Sequence, residues 1–370
     1  MKSIRILDVV YHDHLVGKLV LNKQNEILFQ YDPSWIRNGF PLNPLTLPLQ
    51  SDVFPPAKFE PFDGLFGVFA DSLPDGWGAL LTDRMLRDHG VDPSTLSPLD
   101  RLAIVGSKGR GALEYRPELF GDHEISISSL EKLAEESRRL FDDQNVDDIN
   151  EIFGLAGSSG GARPKANIQV DDSEWIIKFP CSMDPENIGQ MEFDYMKCAE
   201  ECRLNVPEYR LSEGKFFGVR RFDRDKGKKI HMVSVSGLLE TSHRIPNLDY
   251  LTLMKLTMIL TNSTAEAWKL FDLMCFNVFS HNRDDHSKNF SFLYLDGHWI
   301  LSPAYDLTYS NSIGGEHATM ISGKGKDPDL KDMLAVAKIA DLNLKEAEHR
   351  LKRIQHTVNS LLRIYLDLRN

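Results

Sequence analysis

His281-Asn-Arg-Asp284-Asp285-His286-Ser-Lys288-Asn289, followed by Phe290-Ser-Phe-Leu-Tyr-Leu295, Asp296-Gly297, His-Trp299-Ile-Leu301 and Ser302-Pro303-Ala-Tyr-Asp306-Leu307, is the stretch that decides the fold. It follows an apolar run of helical period and holds two strand-like runs joined by Asp-Gly, a strong hairpin dipeptide. The polar cluster therefore stands at a helix-to-strand junction, and Asp306 falls at the far end of the hairpin, 17 residues beyond Asn289. Phosphoryl transfer from ATP asks for these parts: a carboxylate that accepts the substrate hydroxyl proton, an amide and a second carboxylate that hold Mg²⁺ against the phosphates, and a rigid hairpin that fixes their separation. Asp284-x-x-x-x-Asn289, strand, turn, strand, Asp306 supplies them in kinase order. D-x-x-x-x-N alone is common by chance; the hairpin and the downstream aspartate make the pattern specific. A polar turn capping the helix, with Asp284 or Asp285 as the cap, would need one aspartate rather than three spaced groups. His281 and His286, five apart and without a cysteine partner, read as solvated or hydrogen-bonded rather than as zinc ligands.

Working outward, the 370 residues are 42% hydrophobic and 26% charged, the composition of a soluble globular chain of two or three domains. The net charge of −11 argues against direct nucleic-acid binding by the chain alone and against an anionic membrane surface. No run of 18 apolar residues exists, and Asp8, Asp13 and Lys18 break the N-terminal stretch, so neither a membrane span nor a signal core is expected. Four cysteines without C-x-x-C spacing point to a reducing, cytoplasmic protein.

The pattern along the chain predicts an α+β fold. Residues 4–31 read as a small antiparallel sheet, 77–89 and 98–105 as helices, and 106–123 as turn-rich, with a first domain ending near 125. Ser97-Pro98 is a helix N-cap followed by the proline that suits the first helical position. Residues 126–240 read as a lobe of strands at 166–170, 174–179, 216–222 and 230–235 around a helix at 188–202, entered through a bridging helix at 129–142. Residues 241–370 read as mostly helical, at 250–260, 264–281, 329–340 and 344–368.

A kinase also needs a cation on the α- and β-phosphates and a glycine-rich loop. Lys178 is a lone lysine in the strand-like run Trp175-Ile-Ile-Lys178-Phe-Pro, and Glu192, beside the Met191/Tyr195 stripe, is the helix carboxylate expected to pair with it; a lysine snorkelling from an edge strand is the plainer reading. The loop candidate is Gly154-Leu-Ala-Gly157-Ser158-Ser159-Gly160-Gly161-Ala-Arg163-Pro164-Lys165, which matches neither general phosphate-loop fingerprint and would otherwise be a flexible linker. A second cluster, Gly106-Ser-Lys-Gly109-Arg-Gly111, reads as a tight turn, because no acidic metal ligands follow it.

Taken in order, these motifs resemble the HipA family, the serine/threonine kinase toxins of type II toxin–antitoxin modules. The likeness rests on Leu65-Phe-Gly-Val-Phe-Ala-Asp-Ser-Leu-Pro-Asp-Gly-Trp77-Gly, Gly106-Ser-Lys-Gly-Arg-Gly-Ala-Leu, Gly160-Gly-Ala-Arg-Pro-Lys165, Trp175-Ile-Ile-Lys-Phe-Pro180, Glu192, Val219-Arg-Arg-Phe-Asp-Arg224, Asp284-Asp-His-Ser-Lys-Asn289 and Pro303-Ala-Tyr-Asp306. It implies a two-lobed protein-kinase-like core preceded by a small N-terminal α+β subdomain. It also implies that Lys178 contacts ATP phosphates, Asp284 is the catalytic base, and Asn289 and Asp306 bind Mg²⁺. The phosphate loop would include Gly157 to Gly161, with Ser158, or failing it Ser159, the autophosphorylated serine. The partners so implied are a small DNA-binding antitoxin and a protein substrate such as an aminoacyl-tRNA synthetase. Outside that reading stand a small-molecule kinase, which would not need Ser158, and a catalytically silent scaffold that docks a repressor.

Overall fold

The computed structural model describes residues 3–120, 129–147, 149–156 and 160–367, so the domain boundary expected near 125 lies outside the described residues. The chain divides into two compact units. One comprises Met1–Ile188, Phe216–Val233 and Gly237–Glu240; the other comprises Gly189–Lys215, Ser234–Ser236 and Thr241–Asn370.

In the first unit, β1 (Ile6–Tyr11), β2 (His14–Leu21) and β3 (Ile27–Tyr31) form where the Val/Ile/Leu runs predict them. With β4 (Leu113–Arg116) they make an antiparallel sheet of order β3-β2-β1-β4. β4 corrects the turn-rich reading of 106–123. Leu113 and Tyr115 are buried on one face, but four residues beside three glycines carry too short an alternation to read in advance. The helix Gly76–Asp88 turns Trp77, Leu81 and Met85 inward, one turn apart. Pro98–Val105 starts in a capping box, Ser97 Oγ accepting from the Asp100 N–H and the Asp100 carboxylate from the Ser97 N–H.

Leu130–Phe141 begins at its Ser129 cap, and Ile149–Ala156 is a further helix whose eight residues, interrupted by Gly154, show no clear period in the sequence. β5 (Lys165–Val170) and β6 (Ser173–Lys178) pair antiparallel with Lys165 opposite Lys178, and β6 pairs on its other side with Phe216–Arg220. Trp77, Leu81, Leu133, Leu140, Ile152, Ile177 and Phe179 form one core between these helices and that sheet.

A buried ion network ties the 106–111 turn to the residues after Phe216–Arg220. Arg221 donates to both carboxylate oxygens of Asp223 at 3.0 and 2.8 Å, and Arg224 Nη1 reaches Asp223 Oδ2 at 3.0 Å. The Gly111 N–H also donates to Asp223 Oδ2 (2.8 Å), while Arg224 donates to the carbonyls of Gly111 (2.8 Å) and Gly109 (3.0 Å). Burial alone would raise the Asp223 pKa; the two guanidinium groups outweigh it and hold the carboxyl well below its ordinary range. Gly106–Gly111 is thus a tight turn, as expected, with the added duty of presenting backbone groups to buried arginines.

The second unit is built on helices. Tyr250–Thr261 and Thr264–Phe279 follow the predicted pattern, as do Leu330–Ile339 and Leu344–Leu361. The single helix expected over 344–368 is two, because the backbone leaves helical geometry at Leu362 before Arg363–Asp367. Arg350 joins Leu344–Leu361 to Thr264–Phe279: its guanidinium bonds Asp272 at 2.9 Å and stacks over the Trp268 ring at 4.3 Å. No helix among the described residues is long and apolar enough to cross a membrane, and all four cysteines are buried free thiols.

One buried histidine gives the fold a pH dependence. His231, fully buried in the first unit, places Nε2 3.0 Å from the Leu42 carbonyl, and burial lowers its pKa from 6.5 to about 4. The unfolded chain therefore binds a proton below pH 6.5 that the folded chain refuses until about pH 4, so this contribution is complete above pH 6.5 and is lost as pH falls through that window. Denaturant titrations should show stability dropping by about 2 kcal/mol between pH 7 and pH 5 from this group, with His231→Gln removing that part of the slope.

Candidate active site

The site residues of the second unit hang on the helix Thr264–Phe279 and the hairpin after it. Ser263 caps the helix, and Glu266 in its first turn accepts the Leu301 N–H at 2.9 Å, which docks the second hairpin strand. The strands Ser291–Leu295 and His298–Leu301 pair Leu295 with His298, and Asp296 and Gly297 both have positive φ, as the Asp-Gly dipeptide predicts. Past the hairpin, Tyr305 Oη donates to the Lys288 carbonyl and bonds Ser291 Oγ, each at 2.6 Å. The residue before Asp306 is thereby fastened to the residue before Asn289. Asp306 itself is half-buried with φ +57°, a left-handed conformation that a non-glycine residue adopts only where its surroundings hold it.

The adjacent aspartates have opposite environments. Asp285 is 1% exposed: its Oδ2 meets the Tyr250 hydroxyl and His317 Nδ1, each at 3.0 Å, and its Oδ1 accepts the Thr319 N–H at 3.1 Å. The Tyr250 hydroxyl in turn accepts from Asn277 Nδ2 (3.0 Å); burial first and the Asp285 charge second push its pKa well above the ordinary value, so it stays a proton donor. Asp284, one residue earlier, leaves 62% of its side chain in solvent, with His286 Nε2 3.9 Å from Oδ1. Asn289 Nδ2 donates to the Asp284 carbonyl at 2.7 Å, and with the amide nitrogen committed there its oxygen is the atom left to ligate a cation. His286 Nδ1 accepts the Lys288 N–H, and His281 is half-buried, its pKa lowered by burial and then by Arg283 and His317.

Among the described residues no three His, Cys, Asp or Glu side chains gather into a metal cage. Mg²⁺ keeps several waters and completes its shell with substrate phosphates, so one carboxylate and one amide would be enough to hold it. Asn289 and Asp306, both oxygen donors, fit such a role.

In the first unit Lys178, at the end of β6, is half-buried with Nζ 5.7 Å above the Phe217 ring, and Lys165 is its cross-strand neighbour. Lys165 is only 6% exposed and its ammonium donates to the Gly160 carbonyl. Like charges directly opposite on paired strands repel. The sequence assigned Lys165 no role; counting outward from the two-residue Asp171-Asp172 turn places it opposite Lys178. Glu192, 2% exposed on the helix Ile188–Glu201, belongs to the second unit, whereas Glu200 and Glu201 are exposed. Gly160 and Gly161 are described; Gly157, Ser158 and Ser159 lie outside the described residues.

A two-lobed α+β kinase-like fold with these carboxylates on either side of its hairpin defines the class. Residues 7–116 match the HipA N-terminal domain and residues 157–362 the HipA-like C-terminal domain, so the chain belongs to the HipA family. It is similar to two proteins of Sinorhizobium fredii whose names class them as kinase candidates. Y4mE is 26% identical, covering 99% of this chain and 93% of the relative, and Y4dM is 24% identical, covering 94% and 86%. HipA of Shewanella oneidensis MR-1, solved with HipB and operator DNA, superposes with a TM-score of 0.71 at 18% identity, over 97% of this chain and 90% of that one, a likeness of fold.

The two aspartates should part in stability. Asp285→Ala leaves a tyrosine hydroxyl, a histidine and an amide buried without their acceptor and is expected to cost about 3 kcal/mol or more in chemical denaturation. Asp284→Ala should stay within about 0.5 kcal/mol of the parent chain, as a solvent-facing substitution does.

Proposed function

We propose that the chain is an ATP-dependent serine/threonine protein kinase acting as the toxin of a toxin–antitoxin module. The observation that carries this reading is the contrast at 284–285: a buried, fully bonded carboxylate fixes the loop, and the next carboxylate is turned to solvent beside Asn289 on a hairpin that ends in Asp306. In this reading Asp284 accepts the proton of the attacking hydroxyl, and Asn289 and Asp306 hold Mg²⁺, which supplies charge neutralisation to the phosphates. Lys178 holds the ATP phosphates, with Glu192 as its proposed carboxylate partner, and Gly157, Ser158, Ser159, Gly160 and Gly161 form the loop over them. The partner is a small DNA-binding antitoxin, as the HipB complex of the Shewanella relative suggests. The protein substrate is of the aminoacyl-tRNA synthetase class that the family resemblance implies, and the compartment is the cytoplasm, in keeping with four buried free thiols.

Incubation with γ-labelled ATP, Mg²⁺ and cell lysate tests the reading. A labelled protein band is expected; label in a small molecule would replace it with a metabolite kinase, and no label with a silent scaffold. Asp284→Ala and Asp306→Ala should each lower turnover by about 10³-fold or more, since each removes a group that acts on transition-state charge or on the metal. Near-parental turnover in either would remove that residue from the site.

Ser158 carries the regulatory half of the reading. As phosphoserine it would bring about −1.5 to −2 charge into a loop that serves another anion, so modification and nucleotide should exclude each other. Intact-mass analysis after ATP treatment should show one added phosphate that Ser158→Ala abolishes, and weaker ATP binding by the modified form. An unmodified parent that still labels a substrate rules the switch out.

A further inference from the structure

Asp75 occupies the N-cap position of the helix Gly76–Asp88 yet makes no side-chain bond to that helix. An aspartate at this position ordinarily bonds the second or third helical N–H. Here Asp75 Oδ1 instead accepts the N–H of Gly161 at 2.6 Å, 86 residues further on. The Trp77 N–H donates to the Gly161 carbonyl at 3.0 Å, so both backbone groups of Gly161 are taken by one three-residue segment of the N-terminal domain. The indole N–H of Trp77 adds a bond to the Lys165 carbonyl at 3.2 Å.

Glycine is required on each side of this clamp. Gly76 has φ +44°, and a Cβ there would stand 2.5 Å from the Gly161 carbonyl oxygen. Gly161 has φ +95°, and a Cβ on it would press on Lys165 Nζ at 2.6 Å. A Cβ on Gly160 would lie 2.5 Å from Arg110 Nη2 and 3.2 Å from Asp75 Oδ1. The glycines of the loop therefore serve close packing against the N-terminal domain as well as freedom of the chain.

We propose that Asp75 and Gly76 are positioning residues of the glycine-rich loop: they hold Gly160–Lys165 in one conformation before nucleotide arrives, so that ATP affinity depends on a side-chain acceptor in the N-terminal domain. Ordering the loop in advance removes an entropic cost from binding. The inference rests on the kinase reading for its nucleotide consequence and on geometry alone for the clamp.

Two measurements on the full chain test it separately. Hydrogen–deuterium exchange without nucleotide, read on the peptide containing Gly160–Lys165, should quicken about tenfold in Asp75→Ala, the loss expected for a hydrogen bond to a charged group. It should stay at the parental rate in Asp75→Asn, whose amide oxygen still accepts from Gly161. ATP affinity with Mg²⁺ should fall by about the same factor in Asp75→Ala and recover in Asp75→Asn, with the rate at saturating ATP little changed. A parent chain that binds no ATP would defeat the kinase reading while the exchange data still judge the clamp. Parental exchange and ATP affinity in Asp75→Ala, or an Asp75→Asn chain as loose as Asp75→Ala, overturns the proposal. If Asp75→Ala does not fold, Gly76→Ala should loosen the same peptide through contact of its methyl with the Gly161 carbonyl, and unchanged exchange there overturns the proposal equally.

Discussion

A carboxylate taken out of water has to be met by donors at both oxygens, or it costs several kcal/mol. Asp285 meets that condition with a tyrosine from the helix Tyr250–Thr261 and, from a segment far beyond it in sequence, the His317 ring and the Thr319 backbone amide. The parallel bridge of Leu248 with Thr319 and Asp249 with Met320 brings two of these segments together, and the Thr319 hydroxyl donates to the Asp285 carbonyl. Once that side chain is locked inward, the loop around it has little freedom left. Asp284 is turned out, and Asn289 is drawn back onto the Asp284 carbonyl.

Much of this was legible in the sequence because it rests on local chemistry. The Asp-Gly turn, the Ser97-Pro98 cap and the long amphipathic helices are decided by neighbours within a few residues, and the structure has them where the pattern puts them. The placement of Glu192 toward the interior followed from its stripe. Adjacent aspartates, by contrast, look alike in a sequence; only partners 35, 32 and 34 residues away from Asp285 tell which is buried. β4 was invisible for a similar reason, since four residues become a strand through an edge offered by β1 from more than 100 positions earlier. The break at Leu362 has neither proline nor glycine to announce it.

Glycines were the hardest residues to read. Two clusters suggested two loops, and neither matched a phosphate-binding fingerprint. In the fold they share one property: each lets a backbone lie against a distant part of the chain. Gly109 and Gly111 present carbonyls to Arg224, and Gly161 lies between Asp75 and Trp77. Their sequence signal is the absence of a side chain, and that absence cannot name what fills the space.

The buried pair of arginines around Asp223 bears on how such a chain can be assembled over evolutionary time. The two regions that match separate family models have the outline of interchangeable modules, yet Arg221 and Arg224 in the second donate hydrogen bonds to carbonyls in the first, and Asp223 accepts one from the Gly111 N–H. A recombinant that exchanged one half for that of a distant relative would inherit guanidinium groups that still need a turn presenting its carbonyls where Gly109 and Gly111 stand. The halves are therefore constrained to drift together, and a new N-terminal domain can be acquired only along with the Val219–Arg224 strand end that fits it.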